Sequence, residues 1–335
     1  MVYDTNLSFV QTKNYLKLSK ILQSSRIVFM SNPKLQKIKD YCAFLEPLLS
    51  AGISPTGNRY VKMRDSDGDS ILFTGLMSTV LFPADNKWAL KAVLECQGID
   101  GQFYRSPRRC QAGEKGFSRD MSLGVLCAMV DSEFNGESAQ RWLNYIDHSR
   151  PCLVKKPKWA GGGCALRSPV YKYCIEDDDR ANITPTQWAV MGRVWQYRGW
   201  RKHSEMGSWD KADGDVSVKE AEESELGYRL HLKAVQAYIK YLIGQSREYS
   251  MKVGEICYKR QPDNLFYEFL ARRYFTVNMI DRYLEMAEIV DGSSLSNEWM
   301  WEKSTINPYE SSGWCMLFMG KLILWHSLES ADPSC

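Results

Sequence analysis

Three aspartates fall within five residues of one another in the run Arg64-Asp65-Ser66-Asp67-Gly68-Asp69-Ser70, immediately before an apolar stretch. Carboxylates crowded this closely repel one another unless they bind something, cap something or use the raised pKa that crowding produces. Capping is one reading: Asp67 or Asp69 accepts orphan backbone N–H groups and complements the helix dipole. A calcium loop of the EF-hand kind is excluded by spacing, since glycine stands fourth and Leu76 occupies the place of the bidentate glutamate. A calcium site of another kind stays open, and the further reading is acid–base chemistry, in which Asp67 or Asp69 donates or accepts a proton at the mouth of a cleft.

Ser118-Arg119-Asp120 repeats the device before the apolar run Met121–Val130. An N-cap serine with an acid in the first turn accounts for it locally. If both helix starts share a face, Asp67 or Asp69 lies across a cleft from Asp120, the minimal apparatus for glycoside hydrolysis. The loop between them, Asp100–Arg109, carries Tyr104, Arg105, Arg108 and Arg109. Guanidinium forks match carboxylates. Arg64, Arg105, Arg108 and Arg119, with Asp65 and Tyr104 beside them, therefore read as ion-pair partners of the aspartates or as a subsite for an anionic sugar such as a uronic acid.

The chain has 11 tryptophans. Trp88, Trp142, Trp188, Trp195, Trp314 and Trp325 fall on helical patterns and read as core. Trp159, Trp200, Trp209, Trp299 and Trp301 fall in long loops, where aromatic faces serve as platforms for sugar rings; Trp159 and Trp209 are the leading candidates. No GxGxxG, P-loop, HExxH or GxSxG motif occurs. The four histidines are dispersed, and His231, inside an apolar pattern, reads as a core residue.

Positioning these residues falls to helices. Apolar spacing of i, i+3, i+4 recurs along the chain, and alternating strand patterns are nearly absent. The expected helices are Pro33–Ser50, Asp69–Phe82, Asp85–Gln97, Ser118–Val130, Ser138–His148, Thr184–Tyr197, Leu226–Ile243, Ser246–Cys257, Asn264–Tyr274, Val277–Val290 and Ser312–Leu328. Helices apolar nearly all round alternate with amphipathic ones, about six pairs if a poorly defined stretch near 200–225 is included. Such hairpins can bury their inner members as an all-α (α/α)6-type toroid with long loops on one face. The expected organisation is an N-terminal extension over 1–32 and a single domain over 33–330; an irregular bundle of two lobes, split near residue 215, is the competing architecture.

The 335 residues carry 43 Lys and Arg against 40 Asp and Glu, a net charge of +3, which excludes the strongly basic balance of a dedicated nucleic-acid binder. The N-terminus lacks the layout of a secretory signal, and the longest apolar runs are too short to span a bilayer. The expectation is a soluble cytoplasmic protein with no membrane or nucleic-acid partner; release by lysis or association with a phage stays open. Ten cysteines without a CxxC pair read as reduced, mostly buried thiols. Cys152, Cys164 and Cys174, with Cys110 or His148, compose a zinc alternative of unfamiliar spacing; no metal and no cofactor is expected. Oligomeric state leaves no mark in the sequence.

An acidic turn opening a buried, small-residue helix, seen at Asp65–Ser70 with Ser70–Phe82 and at Ser118–Asp120 with Met121–Val130, resembles the (α/α)-toroid carbohydrate-active enzymes, the glycoside hydrolases and polysaccharide lyases. The resemblance implies cleavage of a poly- or oligosaccharide, acidic ones included. Asp67, Asp69 and Asp120 would be the carboxylates. Arg64, Asp65, Tyr104, Arg105, Arg108, Arg119, Trp159 and Trp209 would hold substrate. Toroid hydrolases often use a glutamate as general acid, and neither position here has one. A lyase acting on a uronate through Tyr, His or Arg is the nearest variant. A non-catalytic helical interaction or phage-associated protein, its Asp and Arg residues forming structural ion pairs, is the alternative of another class.

Overall fold

Asn32 starts the first helix by local chemistry: its side chain accepts from the Lys34 and Leu35 amides at 3.0 and 3.4 Å, and Pro33 supplies the first helical residue. The computed structural model describes residues 32–62, 67–80, 87–114, 116–157, 159, 161–174, 181–208, 213–245, 247–289 and 313–329. The extension expected over 1–32 lies outside these residues apart from Asn32.

The described chain is mostly helical. Helix α1 spans Pro33–Leu49 and is followed by a two-stranded hairpin, β1 (Gly52–Ile53) and β2 (Arg59–Tyr60). Then come α2 (Ser70–Ser78), α3 (Trp88–Glu95), α4 (Pro107–Ala112), α5 (Arg119–Met129) and α6 (Gly136–His148). A second antiparallel hairpin, β3 (Cys152–Lys155) and β4 (Cys164–Arg167), precedes α7 (Pro185–Tyr197), α8 (Ser204–Ser208), α9 (Asp213–Glu223) and α10 (Tyr228–Leu242). The chain continues through α11 (Arg247–Arg260), α12 (Leu265–Arg272), α13 (Val277–Ile289) and α14 (Gly313–Glu329). The two hairpins and α4 were not expected from the sequence. They are too short for a periodic pattern to emerge, although Ser106-Pro107 and Gly113 are the cap signals that frame α4. The stretch near 200–225 resolves into α8 and α9.

The alternation of helix character has a direct burial counterpart. Ser70 through Met77 of α2 and Met121 through Met129 of α5 are buried on every face. In α1, by contrast, the buried positions are Leu35, Ile38, Cys42, Leu45 and Leu49, a single stripe. One hydrophobic cluster runs from Leu35 to Leu324. Helices α2 and α5 approach at backbone contact, because Gly75 and Gly124 face each other: a Cβ on Gly75 would stand 1.9 Å from the Gly124 carbonyl oxygen, and one on Gly124 would stand 2.4 Å from that of Ile71. Helix α5 also packs on α7 and α10, α7 on α10, α10 on α12, and α14 on both α1 and α2. Phe266 of α12 meets Phe318 of α14 edge-on at 5.6 Å.

Two expectations are corrected here. Cys152 and Cys164 form a disulfide, so these two are not reduced thiols, and Cys174 is a buried thiol directed at the Phe117 carbonyl oxygen. The zinc alternative at Cys152, Cys164 and Cys174 fails with them; among the described residues no cluster of His, Cys, Asp and Glu has the makings of a metal site. Trp200 is not a free loop platform: it packs on Phe134 and Trp195, with Arg198 over its ring at 4.9 Å. Trp88, Trp142, Trp188, Trp195 and His231 are buried as expected. Among the described residues no helix is long and apolar enough to cross a membrane.

Candidate functional site

Asp67 is fully buried, at 0% exposure, and its two oxygens are divided among three donors. Tyr60 of β2 donates to Oδ1 at 3.2 Å; Ser106 and the Arg108 Nε donate to Oδ2 at 2.9 and 2.7 Å. Ser106 does two things at once, since its Oγ also accepts from the Arg109 amide and so caps α4. That cap aims Arg108 back at Asp67. The consequences are electrostatic: the Tyr60 phenol is pushed up to about 12, first by burial and then by the adjacent Asp67 charge, and the hydrogen bond to Asp67 raises Arg108. Nearby, burial lifts the Cys110 thiol to about 11 and Cys96 well above its usual range. Neither is a thiolate at neutral pH, so the cluster offers no sulfur nucleophile.

Asp69 occupies the N-cap position of α2 without capping it by its side chain; it pairs with Arg105 at 3.6 Å and keeps part of its surface open to solvent. Ser118 likewise makes no side-chain cap bond. The arginines have taken the place of helix amides as partners of the acidic run. Arg105 is the joint of the site. Its carbonyl accepts from the Ile71 amide at 2.9 Å, its Nη1 reaches the Gly68 carbonyl at 3.4 Å, and its Nε donates to the Gly116 carbonyl at 2.9 Å. Gly116 has φ +114, and a side chain there would press on the Arg105 Nε. One guanidinium thus spans from the start of α2 to the residues just before α5, which puts the two N-terminal ends on one side of the molecule.

Asp120 lies half-buried in the first turn of α5, next to half-buried Arg119. The Arg119 carbonyl accepts from Gln187 Nε2, in the first turn of α7, at 3.4 Å. Tyr104 is partly buried beside Asp100, and burial raises its phenol. Of the other candidates, Trp159 is 89% exposed, on the connection between β3 and β4. Arg64, Asp65 and Trp209, with Trp299 and Trp301, lie outside the described residues.

A second cluster on the same side was invisible in the sequence, because its members span positions 147 to 203. His203 stacks on Trp188 of α7 at 5.3 Å and meets the edge of Tyr171 at 5.4 Å. Its Nδ1 accepts from the Glu205 amide at 3.2 Å, which directs Nε2 to Asp147 at 3.5 Å. Arg150 pairs with Asp147 and lies over the Tyr171 ring at 4.6 Å. Burial raises the Tyr171 phenol, and Arg150 opposes that shift. A tyrosine, a histidine and an arginine thus converge beside the start of α7. No local motif signals this; only the return of the chain after α7 brings His203 to Asp147.

Comparison of the chain with protein-family models, curated proteins and solved structures finds no match to any of them.

Proposed function

We propose that the chain is a toroid enzyme that cleaves a glycosidic bond in a poly- or oligosaccharide, with Asp69 and Asp120 as the carboxylates and Asp67 as the residue that positions Arg108. The observation that carries the reading is the Arg105 bridge, which ties a partly solvent-open Asp69 to Gly116, in the segment leading into α5, whose first turn carries Asp120. What supports the toroid is a series of contacts between successive helices. Arg105 links α2 to α5, and Gln187 links α7 to Arg119 of α5. Glu220 of α9 accepts from Thr186 of α7 and pairs with Lys233 of α10. His231, early in α10, packs on Phe266 and Tyr267, early in α12. Phe266 also meets Phe318, and α14 packs on α2, two contacts that a ring of six helices would require.

In this reading one carboxyl group protonates the leaving oxygen and the other activates water or attacks the sugar carbon. Arg105 and Arg119 favour an anionic sugar, and Tyr104, Arg108 and Trp159 extend the binding surface. The convergence of Tyr171, His203 and Arg150 favours a second reading, a lyase. There an arginine neutralises a uronate carboxylate, a tyrosine or histidine removes the proton beside it, and the leaving oxygen departs as the ring becomes unsaturated.

The test is Asp69→Asn, Asp120→Asn and His203→Ala, each assayed on neutral and uronate-containing glycans for reducing ends and for ultraviolet absorbance of an unsaturated product. Loss of about 100-fold or more in the two Asp variants with the melting temperature retained is the expected result for a hydrolase. An unsaturated product lost in His203→Ala selects the lyase. A wild type inactive on every glycan, with Asp69→Asn lowering stability, assigns the Asp and Arg residues to a structural ion-pair ring instead.

A further inference from the structure

The β3–β4 hairpin combines features of which the proposed reaction uses only Trp159. It is rooted by the Arg167 Nη1 on the His148 and Arg150 carbonyls, at 2.5 and 3.1 Å, and clasped by the Cys152–Cys164 disulfide. Beyond its root, its larger apolar side chains stay open to solvent among the described residues. Leu153 is 59% exposed, Val154 48% and Leu166 55%, and Trp159 stands out at 89%. Val154 and Leu166 are cross-strand partners, so their apolar side chains share one face. Lys155 and Lys156 are exposed and make no ion pair among the described residues. The sequence from 152 to 167 contains Lys155, Lys156, Lys158 and Arg167 and no carboxylate.

Water is a poor environment for the apolar half of this hairpin, and the charged half selects the sign of its partner. A hydrated glycan matches the lysines and Trp159 but leaves Leu153, Val154 and Leu166 in water. Both halves are matched by a lipid interface with negative headgroups: aliphatic side chains and an indole enter the headgroup–acyl boundary while lysines stay at the phosphates. We propose that the hairpin is an interfacial anchor that docks this protein on an anionic membrane surface. It lies on the surface and does not span it. The absence of a spanning segment in the sequence argues against a membrane-crossing protein, and a short cationic hairpin is not a spanning segment. The anchor is independent of the glycan chemistry at Asp69 and Asp120.

The full chain is sedimented with vesicles of phosphatidylcholine, with and without about a third phosphatidylglycerol, at low and high salt. Binding to the anionic vesicles is expected, at least tenfold weaker to the neutral ones, and reduced by salt. Lys155→Gln with Lys156→Gln is expected to weaken it by roughly 25-fold, about fivefold for each charge. Trp159→Ala and Leu166→Ser are expected to weaken it with the salt dependence preserved, because they remove only the apolar part. These side chains are exposed, so circular dichroism and melting temperature should match the wild type. Absence of binding to anionic vesicles overturns the proposal, as does binding unchanged in the lysine and Leu166 variants. Retention on a polyuronate matrix that depends on Lys155 and Lys156, without vesicle binding, also overturns it and assigns the hairpin to glycan capture.

Discussion

Asp67 and Arg108 form an ion pair of unequal members. The carboxylate is fully buried, whereas the guanidinium is 53% exposed. Removing the arginine strands a charge that water cannot reach, with only the Tyr60 and Ser106 hydroxyls left to hold it. Arg108→Ala should therefore destabilise the fold by about 3 kcal/mol. Arg229 is as exposed, at 56%, but its partner Glu225 is exposed too, so Arg229→Ala should leave stability nearly unchanged. Urea unfolding of both variants measures the contrast, and equal costs would show that the burial of Asp67 does not matter. That acids and arginines lie close in the chain and would pair was legible at this scale. Which member would be buried was not, because burial of Asp67 depends on Tyr60 and Ser106 closing over it from two other segments.

At the scale of elements, glycine in a helix is ordinarily a weakness that alanine repairs by roughly 1 kcal/mol. Gly75 and Gly124 reverse that sign, since the atoms a Cβ would strike are the backbone of the opposite helix and cannot rotate away. Gly75→Ala and Gly124→Ala should each destabilise by about 1–3 kcal/mol as α2 and α5 are wedged apart. Gly207→Ala, in α8 with open space around it, is the control and should be neutral or mildly stabilising. Thermal melts separate the outcomes; a stabilised Gly124→Ala would mean that the two helices do not meet at these residues. The apolar runs showed two small-residue helices to be buried, because periodicity and residue size are local properties. That the glycines meet each other depends on how the two helices cross, which is not a local property.

For the whole molecule, burial of titratable groups bounds the pH range of stability. Burial pushes the Cys42 and Cys257 thiols from 9.0 up to about 12, and Tyr60 rises from 10.0 to about 12. Below pH 9 both folded and unfolded chains keep these protons. Above it the unfolded chain releases them and the folded one does not until about pH 12, so stability falls across that window. Each group contributes a slope of about 1.4 kcal/mol per pH unit. His231 has the opposite sense: burial lowers its pKa well below 6.5, so below that pH only the unfolded chain takes up the proton and stability falls as pH drops. Urea midpoints from pH 4 to 11 should trace a plateau between about 6.5 and 9 with both limbs falling. His231→Phe should flatten the acid limb selectively. An acid limb unaltered by that substitution would transfer the effect to other groups.

Composition, helical periodicity and cap residues are properties of neighbouring amino acids, so the chain alone indicated a mostly helical protein in which apolar and amphipathic helices alternate. It also established that acids and arginines open two of the buried helices. Three features required the folded arrangement: the disulfide between Cys152 and Cys164, the Arg105 span from Asp69 to Gly116, and the gathering of Asp147, Arg150, Tyr171 and His203. Each joins atoms from segments that no local preference brings together. Their positions follow from burial of the helices that carry them, and burial is a cooperative property of the whole core.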